Sequence, residues 1–166
     1  LKGHVTMNLT IYADKPEYKK NDTINYTITI NADKEISGAT LDIIPSTEIF
    51  PDAFIVPDTG NVTSSDSNTL ISTYVKDGIY SLAIDSPAQN ELKLYIPAYV
   101  GEHIRRSNTV SVIADITYSD NSHDNAYSQL TLSENTPLIL IIMLFIASIM
   151  VSSVIIYLLK KLYFSD

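Results

Sequence analysis

The chain has 166 residues, a formal net charge of −8 from 19 acidic and 11 basic side chains, and neither cysteine nor tryptophan. The negative charge argues against a nucleic-acid partner, because a protein binds a phosphate backbone through basic surface. The absence of cysteine excludes disulfides, thiolate zinc sites, iron–sulfur clusters and thiol nucleophiles.

Apolar and polar residues alternate along most of the first 133 residues, which predicts half-buried β-strands. The alternation is clearest in 23–30, where Ile24 and Ile28 share one face with Tyr26, and Asn25 and Thr27 share the other. The remaining strands are predicted over 5–12, 39–44, 48–56, 70–76, 79–84, 91–100, 109–118 and 126–133.

The breaks between these segments carry turn residues, and Asp77-Gly78 is a direct hairpin signal. About nine short strands separated by such turns predict an all-β, immunoglobulin-like antiparallel β-sandwich over 1–136, without the cysteine and tryptophan of antibody domains. Thr29 is expected at the surface. The core is expected to include Ile28, Leu41, Leu94, Val112 and Ile116.

A run of 22 uncharged residues, 138–159, follows Pro137 and spans roughly 33 Å as a helix, enough to cross a bilayer. We predict one C-terminal transmembrane α-helix over 137–159. Lys160 and Lys161 follow at once, so the positive-inside rule places a short tail, 160–166, in the cytoplasm and 1–136 outside it.

The first 136 residues are therefore expected to be extracellular or to lie in the lumen of the endoplasmic reticulum. Without Lys160, Lys161 and Asp166, the chain keeps 9 basic and 18 acidic residues, a net charge of −9. It starts at Leu1 rather than Met, which fits a cleaved secretory signal peptide, with trimming of a longer ectodomain as the alternative.

Four Asn-x-Ser/Thr sequons in the same part predict an N-glycosylated protein. The acceptor residues are Asn8, Asn21, Asn25 and Asn61.

The sequence offers little for catalysis, since it contains no phosphate-binding loop, nucleophile elbow or supported Ser/His/Asp set. We expect no enzyme activity, no catalytic residue, no cofactor, no metal and no small-molecule substrate. The alternative is a metal site built from His4, His103 and His123. The oxygen ligands of 120–124 resemble those of a calcium loop but lack its glycine and distal glutamate, which favours a polar hairpin turn. The basic pair at 105–106 fits either a solvated turn or contact with an acidic partner.

Two further features indicate contacts with other proteins. The 11 tyrosines replace tryptophan in the core or form a contact patch, and the sequence does not separate the two. In the predicted span, Ala147, Ser148 and Ser152 form a ridge of small residues that permits close approach of a second transmembrane helix.

Several strand patterns, in 21–45, 91–101 and 108–120, resemble the immunoglobulin-like domains of archaeal surface proteins of the cell-adhesion-related and surface-layer-associated types. The segment 39–60 is similar to the beta subunit of the translocon-associated protein complex, and 108–135 to the last strands of its alpha subunit. The matching positions in the beta-type segment are Ala39, Asp42, Phe50, Pro51, Asp52, Phe54, Val56 and Gly60. The chain departs from that pattern in its short tail and in having no connecting segment before the span.

Together these features predict a non-catalytic, single-pass type I membrane protein whose partners are the lipid bilayer and other membrane subunits. It would serve as an accessory subunit of a larger membrane or envelope assembly. The resemblance implies assistance at the Sec protein-translocation channel, and the alternative setting is an archaeal surface layer or a membrane redox complex.

Overall fold

The computed structural model describes residues 4–45, 55–86, 89–101, 108–133 and 138–164. The chain divides into two compact units, Leu1–Glu134 and Asn135–Asp166. The first unit contains every strand, and the second contains a single helix.

The first unit is a two-sheet β-sandwich, as the alternating pattern predicts. Its strands are β1 (Met7–Ala13), β2 (Glu17–Lys19), β3 (Thr23–Ala32), β4 (Ile36–Pro45), β5 (Ile55–Pro57), β6 (Thr63–Ser64), β7 (Leu70–Lys76), β8 (Ile79–Ser86), β9 (Glu91–Val100), β10 (Asn108–Thr117) and β11 (His123–Ser133). A short 3₁₀ helix, Thr59–Asn61, connects β5 to β6.

Sheet A has the order β1-β3-β9-β5, with β6 also paired to β9, and sheet B has the order β2-β11-β10-β4-β8-β7. All of these pairs are antiparallel except β2 with β11, which is parallel. This short parallel pair adds to the predicted sandwich. The first strand ends at Ala13, and Pro16 directly precedes β2 at the edge of sheet B, where the Thr131 N–H donates to the Pro16 carbonyl at 2.9 Å.

The core consists of the inward-facing residues of the strands other than β6 and β7, which have no buried residue. The five residues predicted to be in the core, Ile28, Leu41, Leu94, Val112 and Ile116, are each at most 1% exposed. Their outward neighbours are exposed or half-buried, and Thr29 belongs to the half-buried group rather than the exposed one. The predicted strand register is therefore confirmed.

The hairpin predicted at Asp77-Gly78 connects β7 to β8. Both residues have positive φ, 53° and 78°, the combination of a type I′ turn, in which glycine at the second position avoids strain. The prediction missed the short strands β2 and β6. Most of the predicted strand 48–56 lies outside the described residues, and only its end appears, as β5.

The second unit is helix α1 (Leu138–Tyr163), 26 residues with no buried side chain. Within the described ranges it is the one helix whose length and composition allow it to cross a membrane, with a mean hydropathy of 3.0. At 1.5 Å per residue it is about 39 Å long. The helix extends past the predicted end at 159 and includes both Lys160 and Lys161 in its last turn.

Truncation of a core side chain should show how much of the stability comes from burial. We expect Ile28→Ala to lower the free energy of unfolding by about 2–5 kcal/mol, because the loss of a buried side chain leaves a cavity. Thr29→Ala, the adjacent residue on the opposite face, should cost about 1 kcal/mol at most. Urea unfolding of the full chain in detergent measures both variants, and equal midpoints would contradict the register.

Candidate interaction surfaces

The structure separates the core tyrosines from the surface tyrosines. Tyr18, Tyr26 and Tyr118 are buried, and burial raises the pKa of all three, that of Tyr118 to about 12. The hydroxyls of Tyr26 and Tyr118 have no hydrogen-bond partner among the described residues. The exposed tyrosines on the strands are Tyr12, Tyr74, Tyr95, Tyr99 and Tyr127.

Three of these exposed rings lie on the outer face of sheet A. Tyr12, Tyr95 and Tyr99 are 54%, 43% and 48% exposed. Pro97 lies between the last two on β9, and Val56 is the cross-strand neighbour of Tyr99. These five residues are called the tyrosine face. Thr27 pairs with both Tyr12 and Tyr95, so one threonine separates the two rings across the sheet.

A hydrogen-bond network holds one edge of this surface. The Tyr99 hydroxyl donates to Asp58 Oδ2 at 3.1 Å, and Asn61 Nδ2 donates to the same oxygen at 2.7 Å. The bond from Asn61, followed by that from Tyr99, lowers the pKa of Asp58, and the bond to Asp58 raises the pKa of Tyr99. The Tyr99 ring is therefore oriented before any partner binds.

The four predicted glycosylation sites also belong to the sheet A side. Asn8 and Asn25 lie on its outer face, Asn21 lies in the turn that leads into β3, and Asn61 lies in the 3₁₀ helix. All four are exposed. Asn25 pairs directly with Pro97, at the centre of the tyrosine face. A glycan on Asn25 would therefore cover the rings of Tyr95 and Tyr99.

Asn25 belongs to a polar clamp that joins β3 to β2 through Asp14, which lies in the connection between β1 and β2. Asp14 accepts hydrogen bonds from the Tyr18 hydroxyl, from the Asn25 backbone N–H at 3.1 Å and from Asn25 Nδ2 at 3.1 Å. The Tyr18 hydroxyl also accepts the Lys15 N–H at 2.8 Å. Partial burial raises the pKa of Asp14, but the bonds from Tyr18 and Asn25 outweigh it, and the pKa is lowered overall.

The outer face of sheet B carries a different pattern. Tyr127, Ile113 and Ile44 are cross-strand neighbours on β11, β10 and β4, and form an apolar row that we call the sheet B row. The next row of the same face pairs Asp115 with Asp42, whose Oδ1 accepts the Ser81 hydroxyl at 2.6 Å. One carboxylate oxygen of Asp115 is buried without a partner in the described structure.

The residues considered for metal binding have structural roles where they are described. The Asp124 carboxylate accepts the Leu9 N–H at 2.8 Å, and the Ser122 hydroxyl accepts the Val5 N–H at 3.0 Å. Hydrogen bonding from Ser122 lowers the pKa of Asp120, which also accepts the Val5 N–H, at 3.3 Å. The hairpin turn therefore ties the entry of β1 to sheet B.

The metal hypothesis gains no support from this geometry. His4 Nδ1 lies 3.4 Å from the Ser122 hydroxyl, and His123 is exposed at the start of β11. His103 and the basic pair Arg105 and Arg106 lie outside the described residues. In the part of the chain that the structure describes, no group of three His, Asp or Glu side chains could hold a metal ion.

Helix α1 presents the predicted ridge of Ala147, Ser148 and Ser152 as exposed residues. The Ser152 hydroxyl donates to the Ser148 carbonyl at 2.9 Å, and the Ser153 hydroxyl donates to the Ile149 carbonyl at 2.9 Å. These bonds within the helix satisfy both hydroxyls without a partner. The ridge therefore offers small side chains, and the Ser152 hydroxyl is already bonded within the helix.

The positions of the translocon-type resemblance are only partly described. Ala39 is buried on β4, Asp42 lies on the outer face of sheet B, and Val56 and Gly60 are exposed near the edge of sheet A. Phe50, Pro51, Asp52 and Phe54 lie outside the described residues. No shared site connects the described positions.

No family model and no curated protein matches this chain. Solved structures do match, at low identity. The C-terminal domain of the AgI/II polypeptide BspA of Streptococcus agalactiae has a TM-score of 0.53 and 10% identity, over 78% of this chain and 51% of that one. A non-cellulosomal cohesin from the archaeon Archaeoglobus fulgidus has a TM-score of 0.48 and 15% identity, over 77% and 91%.

A variant of the major pilin subunit BcpA of Bacillus cereus has a TM-score of 0.47 and 12% identity, over 80% of this chain and 41% of that one. At these identities the likeness concerns the fold alone. The BspA domain, whose TM-score is above 0.5, supports the immunoglobulin-like sandwich, and none of the three supports the specific resemblance to translocon-associated subunits.

The polar clamp predicts a pH-dependent contribution to stability. Tyr18→Phe should lower the free energy of unfolding by about 1.5–3 kcal/mol at pH 7, since it removes a hydrogen bond to a charged carboxylate. The pKa of Asp14 is lowered by folding, so this contribution is present above the unfolded value near 3.9 and is lost as the pH falls through the folded value.

The difference between wild type and Tyr18→Phe should therefore shrink below about pH 4. Tyr26→Phe is the matched control, because its hydroxyl has no partner in the described structure and its removal should be neutral or stabilising. Urea unfolding between pH 3 and pH 7 measures all three proteins. A Tyr18→Phe defect that is constant over this range would rule out the charged clamp.

Proposed function

We propose that this protein is a non-catalytic accessory subunit, anchored by α1, whose β-sandwich binds another protein of a membrane or envelope assembly. The observation that carries the proposal is the tyrosine face, a set of exposed aromatic and apolar side chains on one flat sheet surface. Tyrosine gives a large contact area at low entropic cost and is enriched in interfaces.

The composition of the face supports a protein partner. Tyr12, Tyr95 and Tyr99 alternate with threonine and asparagine, which supply hydrogen bonds around an apolar centre, as in the core and rim of transient interfaces. The hydrogen bond from Tyr99 to Asp58 restrains one ring in advance. Less conformational entropy is then lost on binding.

The sheet B row is the second candidate surface, favoured by the positions of the sequons. If Asn25 carries a glycan, the sugar occupies the centre of the tyrosine face, and a partner must bind elsewhere. None of the four sequons lies on a strand of sheet B. The glycosylation state of Asn25 therefore selects between the two surfaces.

The membrane arrangement is part of the proposal. Lys160 and Lys161 mark the cytoplasmic end of α1, so the acidic sandwich lies on the outer or lumenal side. Assistance at a protein-translocation channel and a place in a surface-layer assembly are two settings for the same binding role. Mass spectrometry of the chains that co-purify with the protein in mild detergent distinguishes these settings.

The surface prediction uses two matched double variants of the tagged full chain. Tyr95→Ser with Tyr99→Ser should remove most of the co-purifying partner, because the central aromatic area is lost. Ile113→Ser with Tyr127→Ser, which removes comparable apolar area from sheet B, should leave recovery unchanged. The reverse result would reject the tyrosine face. Mass spectrometry before and after glycan removal reports on Asn25.

The second prediction concerns the helix. Ser148→Leu with Ser152→Leu should reduce recovery of the assembly without affecting membrane insertion, because bulky side chains block close approach of a partner helix. Ser153→Leu is the control, since it removes an equivalent serine with the same internal hydrogen bond from another part of the helix surface. Equal recovery for all three proteins would show that α1 faces lipid at this ridge.

A further inference from the structure

Strand β7 forms one edge of sheet B and is exposed along its length. Six of its seven residues are exposed, and the seventh, Ile71, is half-buried. Leu70 and Val75 are 68% and 56% exposed, although they point to opposite faces of the sheet. An edge strand has unpaired backbone N–H and C=O groups, and with apolar side chains on both faces it can pair with another strand.

The turn geometry identifies the backbone groups that face outward. In a two-residue type I′ hairpin the flanking residues form a hydrogen-bonded pair, here Lys76 with Ile79. Such pairs alternate along an antiparallel ladder, so Lys76 and Tyr74 bond to β8. The N–H and C=O groups of Ile71, Thr73 and Val75 then point away from β8, toward the open edge.

The other sheet edges in the described structure are short or covered. Strand β2 has three residues, and β5 and β6 have three and two. The edge of β1 is covered by side chains, since Asp124 accepts the Leu9 N–H and Ser122 accepts the N–H of Val5, just before the strand. Strand β7 has seven residues, no proline, no bulge in its pairing with β8, and one charge, at Lys76.

The sequence of β7 is complementary to itself about its centre. A two-fold axis at Thr73 places Thr73 opposite its copy and Ile71 opposite Val75, with each pair exchanging two hydrogen bonds. Lys76 then faces Leu70, so no like charges meet, although residues 1–136 carry a net charge of −9.

We propose that β7 pairs with β7 of a second copy of this chain in an antiparallel arrangement with Thr73 on the two-fold axis. The pairing joins the two B sheets into one continuous sheet and removes both open edges. It uses neither the tyrosine face nor the sheet B row, so it is independent of the proposed binding function.

Because the chain has no cysteine, a single engineered cysteine tests the register. The two Thr73 residues would form a hydrogen-bonded pair with Cα atoms about 5.5 Å apart, within the range of a disulfide. The two Lys76 residues would be about 20 Å apart. Under mild oxidation of the full chain in detergent, Thr73→Cys should form a covalent dimer and Lys76→Cys should not.

A backbone variant tests the hydrogen bonds. Thr73→Pro removes an N–H that faces away from β8, so the sandwich keeps its own ladder while the dimer is lost in sedimentation equilibrium. Thr73→Ala, which keeps the N–H, should remain dimeric. Circular dichroism checks the fold of each variant. If Thr73→Pro unfolds, Val75→Lys tests the same interface through its side chains, because it places a charge opposite Ile71 of the second copy and should also abolish the dimer.

Two results would overturn the proposal. The first is Thr73→Cys cross-linking no more than Lys76→Cys, or a wild-type chain that stays monomeric. The second is a dimer that survives Thr73→Pro and Val75→Lys but is lost on replacing Ser148 and Ser152 by leucine, which would assign the dimer to the helix. Loss of partner binding in the tyrosine-face variants leaves the edge proposal unaffected.

Discussion

The sandwich depends on one constraint: the strands that form the core must place their apolar faces toward the opposite sheet, because no disulfide or metal site among the described residues joins the sheets. Ile28 and Leu94 are fully buried neighbours on β3 and β9, and Leu41 and Ile116 are the equivalent pair on sheet B. A shift of one residue would turn either set toward water. Polar side chains add local ties, such as Asp124 on the edge of β1, but these depend on the sheets being in place.

The alternation that predicted the core also indicates which tyrosines of β9 are exposed, although we did not predict them from it. Burial of Leu92, Leu94 and Ile96 forces Tyr95 and Tyr99 outward, so the surface tyrosines of β9 were identifiable in principle from period two alone. The order of the strands in each sheet was not identifiable from the sequence. The pairing of Asp42 with Asp115, for example, joins residues 73 positions apart, and no local pattern specifies it. The parallel strand β2 was missed because three residues are too few to show a period.

The outer faces of the two sheets carry different residues, and each face supports a different hypothesis about binding. Sheet A combines exposed aromatic rings with all four sequons in or beside it, whereas sheet B combines an apolar row, an acidic pair and an open edge. A glycan or a protein can occupy the centre of sheet A, but not both. In α1, the hydroxyls of Ser152 and Ser153 are bonded to carbonyls of the same helix and need no polar environment.

The polar clamp has a consequence for the order of events during synthesis. Asn25 lies on β3, between β1 and β9, and its side-chain amide, the group that receives a glycan, already donates to Asp14 in the folded protein. A transferase acting on the finished sandwich would have to break that bond and draw a central strand out of its sheet. If Asn25 is glycosylated, sugar transfer before β3 pairs needs no bond to Asp14 to be broken, so the rate at which this part of the sheet folds would affect the fraction of chains modified there.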